Sequence, residues 1–388
     1  MLSEQGMDRV ESNHACGVKF VSKLRDVAIR SLKKMYLPDE RLFVFRLRKA
    51  GKEIVREGLS RRYTAIALIG LAGEPEAASD FVLAGHRLHD VCVRLIGDIE
   101  RIDNLGDIAL TFWALHAVDF RDRHPVLERL IALRPSERPC PTVEVAWALS
   151  ALCLSADSET SAGELRERLA HRLLSSFNEH SGMFPHVIGE KSGRLRSHVT
   201  CFADLVYPIQ ALTQYFEVSG DARALEAALR CADQICRLQG AAGQWWWHYD
   251  FRTGNVVEPY PVYAIHQDAM APMALFTLQK AARKSFETEV ERGLAWLARP
   301  PELSGSSLID DHSDIIWRKV ARREPRKLSR YVQAIATRAH SGIRVPGLDR
   351  VFPPGAIDYE DRPYHLGWML YAWPQSRING WKKEEAAL

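Results

Sequence analysis

The chain has no apolar run near the ~20 residues that a membrane-spanning helix requires, and its seven cysteines include no CxxC pair. The first absence excludes a helical membrane span. The second, with Cys153 and Cys201 in apolar helical stretches, points to reduced, buried thiols in a cytoplasmic protein. Charge of one sign is also lacking: the net charge is +3 and the basic residues are scattered, which argues against a nucleic-acid partner. No basic-then-apolar leader opens the sequence. No linker rich in Gly, Ser or Pro divides it, so residues 1–388 are expected to form one domain, with 1–40 as a peripheral N-terminal helix.

What the chain does have is helical periodicity. Apolar residues recur at three- and four-residue spacing over 18–35, 41–58, 78–98, 105–118, 142–155, 161–178, 203–218, 221–239, 268–282 and 285–298. Turn residues such as Gly73-Glu74-Pro75 and Ser219-Gly220-Asp221 separate these segments. At 388 residues the chain exceeds the usual size of one spherical core. A ring of helix pairs escapes that limit, because each pair buries its face against its neighbours.

An internal repeat supports the ring. One helix ends at Phe177 and runs into Gly182-Met183-Phe184-Pro185-His186; another ends at Gln239 and runs into Gly243-Gln244-Trp245-Trp246-Trp247-His248. Each leads into a short hairpin, with turns at 190–193 and 251–254. Each hairpin leads to a helix opening with Asp, three residues and Pro: Asp204 to Pro208, and Asp268 to Pro272. The offset is 61 residues at the glycines and 64 at the aspartates. Asp near a helix N-terminus accepts backbone N–H groups, and Pro in the first turn loses no intrahelical bond. Asp107 and Glu144 open degenerate copies of the same inner helix, and Tyr364–Tyr371 is placed to close a ring of about six pairs.

The stretch from Ala232 through Gln239 and Gly243 to Trp245 resembles one QW-type repeat of the terpenoid cyclase and protein prenyltransferase toroid. The helix–loop–helix rhythm is similar to the six-hairpin glycosidase fold of uronate-acting hydrolases, lyases and sugar epimerases. Both resemblances imply an all-α, (α/α)6-type toroid with short β-hairpin loops at its pocket end. Fold alone fixes no reaction. No DxDD motif is present. Asp310, Asp311 and Asp314 spell DDxxD, which in a terpenoid cyclase would hold Mg2+ and diphosphate. Here the string follows Ser304-Gly305-Ser306-Ser307, where a solvated acidic loop is the plainer reading. No Asp, Cys and His zinc set of the prenyltransferase kind can be assembled from sequence, and otherwise no metal or cofactor is expected.

The densest polar and aromatic cluster runs from Trp245 to Asp268. Flat indole faces suit stacking on a sugar ring, so Trp245 and Trp247 are read as a platform, facing one side of a strand together. Tyr249, Tyr260, His198, Asp204, Trp317, Arg318, Arg362 and His365 complete the candidate substrate contacts, the arginines as carboxylate clamps. His266 or Tyr263 is the candidate base, Glu258 or Glu360 the candidate acid, with Asp268 and His248 nearby. Asp268 also reads simply as a helix cap, and Glu360 and Arg362 as partners of each other. Function is expected to be acid–base chemistry on a uronate-containing oligosaccharide, with a terpenoid-cyclase-like enzyme or a non-catalytic sugar-binding toroid as alternatives. The site reading assumes that the units at Asp204 and Asp268 deliver His198, Trp245, Tyr263 and His266 into one shared cavity.

Overall fold

In the computed structural model, which describes residues 4–155, 160–189, 196–325 and 327–380, composition separates inner helices from outer ones. The chain opens with helix α1 (Glu4–Met35), then an antiparallel hairpin of strands Leu42–Ala50 and Glu53–Leu59. Helices α2 (Arg61–Leu71), α3 (Glu76–Val82), α4 (Leu88–Ile96), α5 (Leu105–Ala117) and α6 (His124–Ala132) follow. Next come α7 (Thr142–Leu154), α8 (Thr160–Ser176), α9 (Ala203–Ser219) and α10 (Ala222–Arg237). Then come α11 (Ala271–Ala282), entered through a π-helical turn at His266–Met270, and α12 (Glu287–Ala298). Short strands, α13 (Leu328–Ala339) and α14 (Leu348–Val351) lead to α15 (Pro363–Ala372), and a helical stretch at 375–380 ends the described part.

Helices α5 and α7 are apolar on nearly every side and almost wholly buried, as inner helices must be. Helix α10 buries Ala224, Ala228, Cys231 and Ile235 on one stripe and exposes its opposite face, the pattern of an outer helix. The inner ring closes in order: α2 packs on α5, α5 on α7, α7 on α9, α9 on α11, and α15 on both the π-turn and α2. Closure is tight. A Cβ at Gly70 would lie 2.3 Å from the Gly367 carbonyl oxygen, so α2 and α15 touch backbone to backbone. The result is an (α/α)6 toroid.

Inner and outer helices alternate, so all inner helices run the same way and their N-termini gather at one end. Connections at the far end are short, as between α9 and α10 or α11 and α12. At the N-terminal end they are long, and the longest carries α13, α14 and several strands between α12 and α15. That end is the mouth.

The structure departs from the sequence reading in three places. Residues 41–58 form the strand hairpin, because Phe43, Val44, Phe45 and the Gly51-Lys52 turn favour extended chain over helix. The 78–98 segment breaks at 83–87, around Gly85 with φ +87°. Residues 18–35 of α1 are no periphery: Leu24, Ala28 and Leu32 are fully buried, and α1 packs on α3, α12 and α15 as the first outer helix. The turn expected at 190–193 lies outside the described residues, whereas that at 251–254 joins strands His248–Asp250 and Asn255–Glu258. The repeat glycines explain themselves. Gly182 and Gly243 have φ +70° and +97° and lean on the backbone of α10 and α12 respectively.

Candidate active site at the mouth of the toroid

Each inner helix presents its first turn to the mouth, and aromatic rings link those turns. Trp147 of α7 meets Tyr207 of α9 edge-on at 5.1 Å, and Tyr207 meets Trp368 of α15 at 5.9 Å. Tyr63 of α2 stacks on Tyr364 at 4.8 Å and on Phe45 of the hairpin at 5.3 Å.

Charge at this end is organised around carboxylates. Glu360 receives Arg46, Arg318 (3.2 Å) and Arg362 (2.7 Å), and Arg362 also donates to the Tyr63 hydroxyl at 3.1 Å. With three guanidiniums on it, Glu360 aligns arginines and is not placed to meet a substrate as an acid. Arg318 lies over the Tyr263 ring at 5.1 Å. Lys319, beside Asp358 at 2.5 Å, sits over the same ring; burial, aided by Arg318, brings its pKa down to about 8. A second cluster joins α2, α5 and α7. Arg62 donates to Asp107 at 2.7 Å and to Glu144 at 3.2 Å while lying over Trp147. Two carboxylates thus share one guanidinium, with Asn104 bridging alongside. A third cluster belongs to α9: His186 Nδ1 meets Asp204 Oδ2 at 2.8 Å, and Thr200 and the Cys201 N–H donate to the same oxygen.

Beside these clusters lie Tyr263, His266 and His248, all expected from the sequence. Tyr263, His266 and Phe202 pack ring to ring, His266 being 5.1 Å from Tyr263 and 4.5 Å from Phe202. Burial drives the His266 pKa down to about 3 and the Tyr263 hydroxyl well up. His248 is likewise held far below its ordinary value, first by burial and then by Arg196 and Arg330. Desolvation disfavours the charged form of both rings, which makes His266 a weak base where a base was expected.

Other expected contacts are core. Trp245 is fully buried against Gly293; residues 245–247 are irregular chain, so the strand alternation that paired it with Trp247 does not apply. Trp247 is half-buried, but His248 stacks on it at 4.1 Å and Arg330 lies 4.6 Å from its centroid, so its face is already occupied. Tyr249 is buried and donates to the Trp246 carbonyl. Tyr260 donates to Glu302 at 3.0 Å. Glu258 is fully buried in a 2.8 Å pair with Arg322. His198 is buried against Thr337 of α13, and Trp317 packs against Tyr359 with 4 % of its surface exposed. Of the four residues expected to share a cavity, Tyr263 and His266 pack on each other, whereas His198 lies against Thr337 and Trp245 against Gly293.

Asp268 and His365 form a lock beneath the mouth. His365 Nε2 reaches both carboxylate oxygens, at 2.8 and 2.9 Å, and both residues are buried. Burial opposes charge on His365, but Asp268 more than offsets it and raises the pKa. Asp268 is no helix cap. Pro272 lacks the N–H that would bond the Asp268 carbonyl, and Trp373 Nε1 takes that oxygen instead at 2.6 Å.

Asp310, Asp311 and Asp314 lie on a β-turn at the outer surface. Asp311 pairs with Lys23 and Asp314 with Arg30 and Lys34 of α1. They do not face the toroid, which removes the terpenoid-cyclase reading and its Mg2+.

Sequence reasoning missed Arg62, His186, Cys201 and the acidic pair. The available signal was the acid that opens each inner helix, noted at Asp107 and Glu144 as a repeat feature and not as chemistry.

The fold defines a class, the (α/α)6 toroid of inner and outer helices with its inner N-termini gathered at one end. Within it, an unsaturated glucuronyl hydrolase specific for heparin is similar over 95% of this chain and 98% of its own, at 12% identity and TM-score 0.61. The unsaturated glucuronyl hydrolase of Bacillus sp. GL1, responsible for the degradation of glycosaminoglycan, matches at 11% identity and TM-score 0.58 over 91% and 94% of the two chains. A possible member of glycoside hydrolase family 105 from Salmonella enterica matches at 9% identity and TM-score 0.59 over 93% and 94%. The likeness is one of fold. No protein-family model and no curated sequence matches this chain. Among the described residues no helix is long and apolar enough to cross a membrane.

Proposed function

We propose that this protein is a carbohydrate-active enzyme that removes a uronate residue from an oligosaccharide by acid–base chemistry at the toroid mouth. The observation that carries the reading is an arginine-rich wall, Arg318, Arg362 and Lys319, that adjoins the Asp107–Glu144 pair through Arg62 and Tyr63 of α2. The wall suits a sugar carboxylate, because guanidiniums bind carboxylates through paired N–H donors. Six inner-helix N-termini add positive potential at the same end. Similar folds in solved structures are named as unsaturated glucuronyl hydrolases, and hydrolysis of an unsaturated uronyl end is the reaction that best fits.

The acid–base role moves from Glu258, Glu360 and His266 to Glu144 and Asp107. Glu144, whose side chain is 11% exposed, protonates the substrate, and Asp107, at 25%, takes the proton of an attacking water. Arg62 holds the two side by side.

The test is a substrate panel. Unsaturated uronyl disaccharides lose their ultraviolet absorbance on turnover, and matched neutral disaccharides serve as controls. The reading expects turnover of the uronyl set alone. Equal handling of neutral sugars, or no activity on any uronyl end, contradicts it.

A further inference from the structure

His186, Cys201 and Asp204 offer one nitrogen, one sulfur and one oxygen whose atoms all lie within 4.8 Å of one another. They come from a loop, a strand and the first turn of α9, so the fold rather than local sequence brings them together. Asp204 is fully buried. Its Oδ2 is heavily used, by His186, Thr200 and the Cys201 N–H. Its other oxygen, Oδ1, is buried and has no hydrogen-bond partner among the described residues. A buried carboxylate oxygen that accepts nothing calls for an explanation, and an ion is one of the few available.

We infer that His186, Cys201 and Asp204 form a divalent-metal site of the zinc class, with its fourth position open at the mouth. The donor set is the borderline-soft mixture that Zn2+ favours, and three protein ligands with one open position is the arrangement of reactive zinc sites. Ligand spacings within 4.8 Å come onto a common ion through small side-chain rotations, since Zn–N and Zn–S bonds run about 2.0–2.3 Å. Thr200 and the Cys201 N–H would orient the carboxylate from the second layer. His186, with its side chain 56% exposed, forms the solvent side where a water or substrate oxygen enters. Binding displaces the thiol proton and the proton shared between His186 and Asp204. This departs from the expectation of no metal, and it stands apart from the sugar reading, because metal binding is measured without substrate.

The experiment uses the full chain, stripped with a chelator and titrated with Co2+ and then Zn2+. One ion per chain is expected, with a near-ultraviolet thiolate-to-cobalt band that Zn2+ displaces. Cys201→Ser abolishes the band, and His186→Ala weakens affinity by about tenfold or more. Cys236→Ser, a substitution on α10, leaves both unchanged, and thermal melts confirm that each variant folds. The inference is overturned if the wild-type chain binds no stoichiometric ion, or if the band survives in Cys201→Ser.

Discussion

Asp204 and Asp268 occupy matching places in two copies of one loop-and-helix unit, yet their carboxylates meet different company. Asp268 gives both oxygens to a single buried histidine, His365, and its carbonyl to Trp373. Asp204 crowds three donors onto one oxygen and leaves the other without a partner among the described residues. The first arrangement is complete and closes the ring, since His365 and Trp373 belong to the last inner helix and its end. The second is incomplete and opens on the mouth through an exposed histidine. One duplicated plan has thus served as a closed structural lock in one copy and as an open polar cluster in the other.

The largest expected effect separates the two aspartates. Asp268→Ala strands His365 in the core, and a broken buried pair costs about 3–5 kcal/mol. Asp204→Ala loses hydrogen bonds near solvent-exposed His186 and costs about 1–3 kcal/mol. Chemical denaturation measures both; equal losses would erase the distinction. The repeat glycines sharpen it next. A Cβ at Gly243 would lie 2.0 Å from the Arg292 carbonyl oxygen, against 3.2 Å from that of Arg230 at Gly182. Gly243→Ala is expected to cost about 3 kcal/mol and Gly182→Ala about 1.

Burial raises the pKa of Asp361, which accepts from Ser31, to about 6. Its folded value exceeds its unfolded one, so the native state holds the proton more tightly between about pH 4 and 6. Stability contributed by this group therefore falls as pH rises through that window and stays low above it. Asp361→Asn keeps an acceptor for Ser31 and removes the slope, a gain of roughly 3 kcal/mol at pH 7. Thermal melts across pH check it. The smallest effect concerns Lys319. Its charge is lost as pH rises through about 8, so KM for a uronyl substrate is expected to rise by about fivefold or less over that range, and Lys319→Arg to hold it flat.

The helical ring was legible in the sequence because periodicity and turn residues are local. The α9, α10 and α12 boundaries fall within two residues of the expected ones, and Gly182 and Gly243 marked real close approaches. The hairpin at 42–59 was misread because its apolar residues also fit a helical spacing. The site was less legible, for a physical reason. Richness in Trp, Tyr and His drew attention to 245–268, but large rings also fill the space beneath long loops, and Trp245, Tyr249 and Tyr260 do that. Arg62, Asp107, Glu144 and His186 are ordinary residues on four separate elements, and only ring closure gathers them. Tyr263 and His266 pack together, and the desolvation that lowers the His266 pKa depends on neighbours that sequence does not order.

The account turns on the acid pair beside Arg62. The most direct test compares kcat of wild-type protein and Glu144→Gln on an unsaturated uronyl disaccharide, with melting temperatures measured alongside. A loss of about 10²–10⁴-fold at unchanged stability is predicted; a variant that turns over as fast as wild type would contradict the account.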